Sequence, residues 1–341
     1  MNISPSQLTS LLEAYIPQRF PVLITGAPGI GKSDLVTAVA DKLGYELILS
    51  HPVIEDPTDS KGLPFPNPEK GIAEFLPFGD LVKLVNADRP TVCFVDDLGH
   101  ASEATQKAKM QLFLARQIGG QKISDHVTFV GATNRRSDNA GVTGLLEPVI
   151  SRFVTIVNLE PDIHDWTDWA VLRHIPAELI AFLRFRPDLL SAPKRSRDIE
   201  NSPSPRTWGF LAKTMPHVPK GLELISYAGS VGEGAAIELI AFLEIWKDLP
   251  SPDDILLSPE TAVIPSNPAT LYAVCTALAV RATEDNLARV MIYLNRMIDD
   301  GLREFSALLA NDAIRRTPSL QNTHSFVREQ GGELGKILQG G

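Results

Sequence analysis

Positions 26–33 carry the sequence Gly-Ala-Pro-Gly-Ile-Gly-Lys-Ser, in which three glycines precede a lysine and a hydroxyl. Glycines have no Cβ, so backbone N–H groups in such a loop can converge on phosphate oxygens. A run of strand formers (21–25) precedes the loop and a helical pattern (32–43) follows it, which makes an incidental glycine-rich turn the weaker interpretation. The helix would add the positive end of its dipole to the same site.

This pattern predicts a site for ATP and Mg²⁺. Lys32 is expected to reach the β- and γ-phosphates, and the Ser33 hydroxyl is expected to bind the metal. The predicted nucleotide-binding residues are Gly26, Ala27, Pro28, Gly29, Ile30, Gly31, Lys32, Ser33 and Asp34.

A second candidate is the acid pair that ends the apolar run TVCFVDD at positions 91–97. Parallel α/β sheets bind ligands at the carboxyl ends of their strands, so a buried strand that ends in acid places charge there. Asp96 is the predicted partner of Mg²⁺, and Asp97 is the predicted base that polarises the attacking water. The alternative is a solvated Asp-Asp turn that caps the next helix.

Three further polar residues lie where they could serve the same chemistry. Asn134 follows the apolar run 127–133, and its amide could orient a water or contact the γ-phosphate, although asparagine at a strand end is commonly turn chemistry. Arg152 could stabilise the transition state of phosphoryl transfer. Arg206 follows Ser-Pro, which is typical of a helix start, so it could point back at the nucleotide. For both arginines the alternative is a surface or ion-paired side chain.

The elements that must position these residues alternate along the first half of the chain, which predicts an α/β domain with a five-stranded parallel sheet. Strand-like runs lie at 21–25, 46–50, 91–95, 127–133 and 154–159, and helical patterns lie at 6–16, 32–43 and 102–116. The proline-rich segment 51–78 is expected to be a long loop with no regular helix or central strand.

After residue 159 the strand-like runs stop. Helical patterns cover 165–185, 207–215 and 285–298, and the methionines in the last of them indicate core packing. The end of the chain, 331–341, is expected to be a frayed tail.

The composition is that of an ordinary soluble protein, with 341 residues and 44% hydrophobic residues, enough for two or three domains. The formal net charge of −9 argues against broad non-specific binding of nucleic acid. Cys93 and Cys275 lie in apolar segments and are predicted to be buried free thiols. No signal peptide and no membrane-spanning run is recognisable, so a cytoplasmic protein is expected.

The order of these motifs resembles that of an AAA+ ATPase, and several stretches resemble its MoxR branch. These are DPTDSKGLPF, DDLGHASEATQKAKMQLFLARQI, LLEPVISRF and the Ser-Pro-Arg that follows the core, within residues 5–215. The resemblance implies an AAA+ P-loop domain (1–160) followed by an α-helical lid (161–250). It does not cover residues 220–341, and a C-terminal helical extension is expected over 251–341. The resemblance also implies a homo-hexameric ring in which Arg152 acts on the neighbouring subunit's ATP.

In the same resemblance, Asn134 and Arg206 are the first and second nucleotide sensors, the latter on the lid. The family usually has Glu where this chain has Asp97, whose side chain is one methylene shorter, so slow hydrolysis is expected. The segments 52–78 and 117–126 fall where this branch carries insertions, and they are expected to engage a partner on one face of the ring.

Three functions fit these motifs. The first is an ATP-driven remodelling or chaperone-like factor that acts on a protein client, beside a von Willebrand factor A-type partner. The second is a nucleic-acid-associated AAA+ module such as a helicase loader, favoured by the basic residues at 194–197 and by the arginines at 135 and 136. The third is a small-molecule kinase, which leaves Asn134, Arg152 and Arg206 without roles.

Overall fold

The chain folds into two compact units, Met1–Asp162 and Ile163–Gly341. Every strand lies in the first unit, and the described elements of the second are all helical, as the change in pattern near residue 159 predicts. The computed structural model describes residues 1–118, 120–138, 144–193 and 199–338.

The first unit is built on a sheet of six parallel strands, which confirms the predicted α/β fold with one strand more than predicted. The additional strand, β1, has two residues, too few to leave a periodic signal in the sequence. The spatial order is β1-β10-β2-β9-β6-β3. In chain order the strands of the unit are β1 (Asn2–Ile3), β2 (Val22–Thr25), β3 (Glu46–Ser50), β4 (Leu63–Asn67), β5 (Ile72–Leu76), β6 (Thr91–Val95), β7 (Gln117–Ile118), β8 (Gln121–Lys122), β9 (Val127–Thr133) and β10 (Thr155–Leu159).

Both faces of the sheet are buried, because neighbouring residues of one strand enter different cores. Val92 and Phe94 of β6 pack with α1 (Pro5–Tyr15) and α2 (Lys32–Leu43), whereas Cys93 and Val95 pack with α4 (Asp80–Asn86) and α5 (Glu103–Phe113). A parallel strand covered on both sides needs apolar residues at every position, which explains the uninterrupted apolar run. The helices of this unit are α1 (Pro5–Tyr15), α2 (Lys32–Leu43), α3 (Pro57–Lys61), α4 (Asp80–Asn86), α5 (Glu103–Phe113) and α6 (Glu147–Ile150).

The proline-rich segment is more regular than predicted. It contains the short helix α3, where Pro57 occupies the first turn and loses no helical hydrogen bond, and the antiparallel hairpin β4–β5. The expectation of a structureless loop at 51–78 is therefore wrong. The second predicted loop, 117–126, begins with another antiparallel pair, β7–β8.

The second unit packs its helices around two hydrophobic cores. One core centres on Phe182, Trp208 and Phe242, and the other on Tyr293, Leu294 and Met297. The burial of Met297 confirms the predicted core-facing methionine stripe. The helices are α7 (Ile163–Leu172), α8 (Ala177–Phe185), α9 (Pro205–Thr214), α10 (Glu223–Val231), α11 (Glu233–Lys247), α12 (Pro252–Leu257), α13 (Pro268–Arg281), α14 (Leu287–Asp299), α15 (Arg303–Arg316), α16 (His324–Gln330) and α17 (Glu333–Leu338).

Two helical predictions need correction. The pattern at 165–185 forms two helices, because His174 takes a left-handed φ of 54° and Pro176 begins the next helical turn. The predicted frayed tail forms α17 instead, and Leu334 is buried there. Residues 339–341 of that tail lie outside the described residues.

Both cysteines are buried free thiols, as predicted. Burial raises the pKa of the Cys93 thiol to about 12 and raises that of Cys275 as well. Among the described residues, no helix combines the length and the apolar character needed to cross a bilayer.

A buried ion pair ties α8 to α15 in the second unit. Arg184 donates to both carboxylate oxygens of Asp312 at 2.5 and 2.8 Å, and the Asp312 side chain is 1% exposed. Removing one partner leaves a buried charge uncompensated, so Asp312→Ala is expected to lower the free energy of unfolding by about 3–5 kcal/mol. The chain's four tryptophans all lie in this unit, so denaturant unfolding followed by intrinsic fluorescence reports on it.

Arg315→Ala is the matched control. Arg315 lies on α15, as Asp312 does, and pairs with Asp168 of α7, but these two side chains are 40% and 38% exposed. A partly exposed pair contributes about 1 kcal/mol or less. Equal losses in the two variants would contradict the role given to the Arg184–Asp312 pair.

Candidate functional site

The glycine-rich loop joins β2 to α2 at the carboxyl edge of the sheet, as predicted. Gly31 precedes α2 with a left-handed φ of 97°, which strains any residue with a Cβ. At Gly26 a Cβ would lie 2.8 Å from the carbonyl oxygen of Leu159, so a larger residue does not fit against β10. The conformation of the loop therefore requires glycine at these two positions. Because glycine has no side chain, a ligand can approach the backbone of the loop closely.

Lys32 lies at the first position of α2 and is only 7% exposed. Its Nζ donates to the carbonyl oxygens of Gly26 and Ala27, both at 3.0 Å, and to Oδ1 of Asn134 at 2.8 Å. A buried ammonium needs such partners, because its desolvation costs several kcal/mol or more. The charge is thus held beneath the loop, where a phosphate group would meet it.

Ser33 and Asp96 form the second part of the site. The Ser33 hydroxyl donates to Oδ2 of Asp96 at 2.5 Å, and Asp96 is 8% exposed. The other carboxylate oxygen accepts the N–H of Asp97 at 2.9 Å. A hydroxyl beside a carboxylate suits Mg²⁺, which prefers oxygen ligands and usually binds through one or two protein groups and the substrate's phosphates. The donor set therefore fits the metal predicted for these residues.

Asp97 differs from Asp96 in its environment. It has a left-handed φ of 52°, and its side chain is 44% exposed. Its Oδ1 lies 3.5 Å from Nδ2 of Asn134 and 3.6 Å from Nδ1 of His100. A non-glycine residue in this conformation carries local strain, and such strain is common at functional sites. The exposed carboxylate is available to a water molecule, whereas that of Asp96 is occupied by Ser33.

Asn134 connects the loop to the acid pair. Its amide oxygen accepts from Lys32 and its amide nitrogen faces Asp97, so one side chain touches both. Asn134 directly follows β9, which lies between β2 and β6 in the sheet. The alternative of simple turn chemistry does not account for these two contacts.

His100 is a neighbour of the site that the sequence did not single out. It ends the short turn after Asp97, and its N–H donates to the carbonyl oxygen of Asp97 at 2.9 Å. The available sequence signal was the acid three residues before His100. The contact between the two side chains depends on the left-handed conformation of Asp97, which the sequence does not indicate.

Arg152 lies directly after α6, and its guanidinium donates to the carbonyl oxygen of Pro148. The next residue, Phe153, is buried, and a Cβ at Gly131 would lie 2.9 Å from its ring. Phe153 thus anchors this turn to β9 and leaves Arg152 partly exposed. Among the described residues, the hydrogen bond from Arg152 to Pro148 is local and does not involve the glycine-rich loop.

Arg206 lies in the first turn of α9 and is exposed. Ser204 caps this helix and Pro205 is its first residue, so the predicted helix start is confirmed. Asp34, in the first turn of α2, is exposed as well. The roles of Arg206 and Asp34 toward a nucleotide stay predictions.

Arg135, one of the arginines that favoured nucleic acid, is engaged within the first unit. It contacts Asp138 at 3.0 Å and Glu160 at 2.6 Å. The hydrogen bond to Asp138, followed by the contact with Glu160, raises the pKa of its guanidinium. Its charge is therefore neutralised by protein carboxylates. The side chain of the arginine at 136 and the basic stretch 194–197 lie outside the described residues.

Comparison with known proteins gives a family for the first unit. Residues 22–161 match the model of the ATPase family associated with various cellular activities, or AAA. The chain is similar to midasin of Giardia intestinalis, with 27% identity over 173 residues, which is 48% of this chain and 4% of that protein. The matched stretch is thus a small part of that relative.

Two solved structures are similar to this chain at a low level. The RuvB Holliday junction branch migration motor of Thermotoga maritima is 20% identical, with 86% of each chain covered and a TM-score of 0.40. NtrX of Brucella abortus is 13% identical, with 97% of this chain and 67% of that chain covered and a TM-score of 0.38. The family match covers five of the six parallel strands, the glycine-rich loop, the acid pair and Asn134. Residues 22–161 therefore match the AAA-family model and have the AAA+ P-loop fold.

Proposed function

We propose that this chain binds ATP with Mg²⁺ and hydrolyses the terminal phosphoanhydride bond, as a MoxR-type remodelling factor that works on a protein client. The observation that carries the proposal is the contact chain from Lys32 through Asn134 to Asp97, beside the Ser33–Asp96 pair. It joins a cation for phosphate, an oxygen pair for a metal and an exposed base at one edge of the sheet.

The roles of the residues follow from their contacts. Lys32 would exchange its bonds with the loop carbonyls for phosphate oxygens, which carry full charge and bind an ammonium more strongly. Ser33 and Asp96 would hold Mg²⁺, which when bound bridges phosphate oxygens and neutralises their charge. Asp97 would accept a proton from the attacking water, and Asn134 would keep this carboxylate and the Lys32 ammonium in register.

A ring of subunits supplies the remaining charge in this proposal. Arg152 is partly exposed and anchored by Phe153, so it can be presented to a neighbouring copy. An arginine that contacts the transferring phosphoryl group from a neighbour stabilises the transition state. The proposed assembly is a homo-hexamer, with Arg206 acting from the helical unit as a second sensor of the nucleotide.

The client would be a protein. The two hairpins, β4–β5 and β7–β8, occupy the segments in which partner-binding insertions are predicted, and Nε2 of Gln121 lies 3.5 Å from the carbonyl oxygen of Phe75. A von Willebrand factor A-type protein is the kind of partner that the MoxR resemblance suggests. For a nucleic-acid-associated module such as a helicase loader, no contact in the described residues adds support, since Arg135 is ion-paired.

The Asp97 series tests the hydrolytic role. Asp97→Asn keeps the size of the side chain and loses the base, so turnover is expected to fall by about 10²-fold or more while ATP affinity is retained. Asp97→Glu extends the carboxylate toward the usual position and is expected to preserve or raise turnover. Both are measured by phosphate release and by titration with labelled ATP.

Asp41→Asn is the control for this series, because Asp41 is an exposed carboxylate at the far end of α2. It is expected to behave like the wild type. Normal turnover in Asp97→Asn would show that Asp97 is a structural residue of the turn, and the hydrolytic assignment would fail.

Mixing two inactive variants tests the ring. Arg152→Ala subunits keep their own phosphate loop, and Lys32→Ala subunits keep Arg152, so a mixed assembly contains some complete sites. Arg152→Ala alone is expected to lose roughly 10³-fold in rate, because a trans arginine acts mainly in the transition state. Lys32→Ala alone is expected to lose turnover, because it lacks the cation for the β- and γ-phosphates. ATPase activity should return in part when the two are mixed at several ratios.

Subunit exchange is shown separately by fluorescence transfer between labelled subunits. With exchange present, no recovered activity at any ratio would contradict the trans role of Arg152. A small-molecule kinase that acts as a monomer would then be the better interpretation.

A further inference from the structure

The β4–β5 hairpin carries an unusual share of exposed apolar side chains. Leu63 and Phe65 on β4 are 51% and 59% exposed, and Ile72, Phe75 and Leu76 on β5 are 53%, 40% and 49% exposed. Large apolar residues that cluster on a projecting element commonly mark a site of interaction. A two-stranded hairpin is also marginal by itself, and a further strand would stabilise it.

The two edges of the hairpin differ in what they offer to another strand. Pro64 and Pro66 alternate along β4 and have no N–H to donate, so the β4–β5 ladder must run through the pairs that contain Leu63 and Phe65. The prolines therefore occupy the outward positions of β4 and block that edge. Their partners in the register, Phe75 and Ala73, are the outward positions of β5, and both retain an N–H.

The outward direction of β5 is supported by one contact, since the carbonyl oxygen of Phe75 accepts from Gln121 at 3.5 Å rather than from β4. The register with Pro64 and Pro66 therefore directs the N–H groups of Ala73 and Phe75 away from β4, and an added strand would replace the long contact of Gln121 with the Phe75 carbonyl. Unpaired N–H and C=O groups in an extended row are a template for strand addition.

We propose that an extended segment of the protein client adds to the outer edge of β5 as a third strand of the hairpin. This inference rests on the proposed function, because it specifies how the remodelling factor holds its client. Main-chain hydrogen bonds to Ala73 and Phe75 would supply sequence-tolerant binding, which suits a factor that grips unfolded or extended chain.

The side chains beside β5 set the chemistry of that segment. One face of the hairpin presents Leu63 and Phe65 on β4 and Ile72 and Leu76 on β5, and Glu74 on this face is paired with Lys70 at 2.7 Å. A groove of about 300 Å³ on the same side is lined by Phe65, Leu76, Glu69 and Glu74 among others. The other face presents Phe75. The segment that fits places apolar residues on the first face, beside Ile72 and Leu76, because apolar cross-strand neighbours stabilise a sheet. Its alternate residues lie on the second face, where a basic side chain would be attracted to the exposed ring of Phe75.

A second copy of this chain fits the same edge less well. If two β5 strands paired antiparallel over their full length, the central residue Glu74 would lie directly opposite its own copy. Like charges at directly opposed positions destabilise a sheet. A client segment with an apolar residue at that position avoids the repulsion.

The base of the hairpin is fixed to the nucleotide-binding core, which connects this edge to ATP. Lys109 of α5, 5% exposed, contacts Glu55 at 2.6 Å and donates to the Ser50 hydroxyl at 3.0 Å. The carbonyl oxygen of Ser50 accepts the N–H of Asp96 at 2.9 Å. The segment that leads into β4 is thus anchored beside the residue that would hold Mg²⁺.

The test uses the full chain and a short fluorescent peptide of alternating valine and lysine, with binding measured by anisotropy. Ala73→Pro removes one outward N–H and leaves the ladder to β4 intact, whereas Ala73→Val keeps the N–H. Loss of the bond should weaken peptide binding about tenfold in Ala73→Pro, and Ala73→Val should stay near the wild type.

Two methylated peptides test the same bonds from the other side, without a change in the protein. One is N-methylated on every valine and the other on every lysine, so only one of them loses the N–H groups that face β5. Loss of binding for one peptide alone is the expected result. Equal binding by the parent and both methylated peptides, or wild-type affinity in Ala73→Pro, would overturn the proposal.

Absence of peptide binding to the wild type would overturn it as well. A lower oligomeric state of Ala73→Pro with unchanged peptide affinity would also overturn the proposal, because it would place a second copy on this edge. Phosphate release by the wild-type chain is measured in parallel. A chain that hydrolyses ATP but shows no edge-dependent peptide binding refutes strand addition alone, whereas a chain without ATP hydrolysis refutes the proposed function.

Discussion

Burial of the Lys32 ammonium is the constraint on which the site of the first unit depends. The charge is 7% exposed, so it must be surrounded by oxygens, and the loop carbonyls of Gly26 and Ala27 turn toward it with Asn134. This demand joins the loop between β2 and α2 to the end of β9, 102 residues further along the chain. It also explains the sheet order, because only neighbouring parallel strands bring their carboxyl ends to one place.

The two carboxylates after β6 differ by environment and not by residue type. Asp96 is buried and receives the Ser33 hydroxyl, which suits its proposed role as a metal ligand, while Asp97 is turned outward by a left-handed backbone and faces Asn134 and His100. The proposed binding of a metal and activation of water need this separation. It is obtained here with two adjacent aspartates and one strained turn.

The sequence was sufficient for the local parts of the site and insufficient for contacts across the fold. The glycine-rich loop, the acid pair and Asn134 lie where predicted, because each is a short motif at the end of a strand. The bond from Lys32 to Asn134 spans more than a hundred residues and left no pattern. The β4–β5 hairpin was missed because its prolines resemble those of a loop, and only the pairing register shows that they face outward. The two-residue strand β1 and the position of His100 were missed for similar reasons.

The central claim is that the buried Lys32 charge exists to bind phosphate, and ATP affinity measured by titration calorimetry tests it most directly. Lys32→Met keeps the length of the side chain and removes the charge. Lys109→Met is the matched control, since Lys109 is a buried lysine of the same unit that is paired with Glu55. The account predicts that Lys32→Met loses ATP affinity by about a hundredfold, the equivalent of one or two charge-assisted hydrogen bonds, while Lys109→Met still binds ATP. Wild-type affinity in a folded Lys32→Met protein would contradict it.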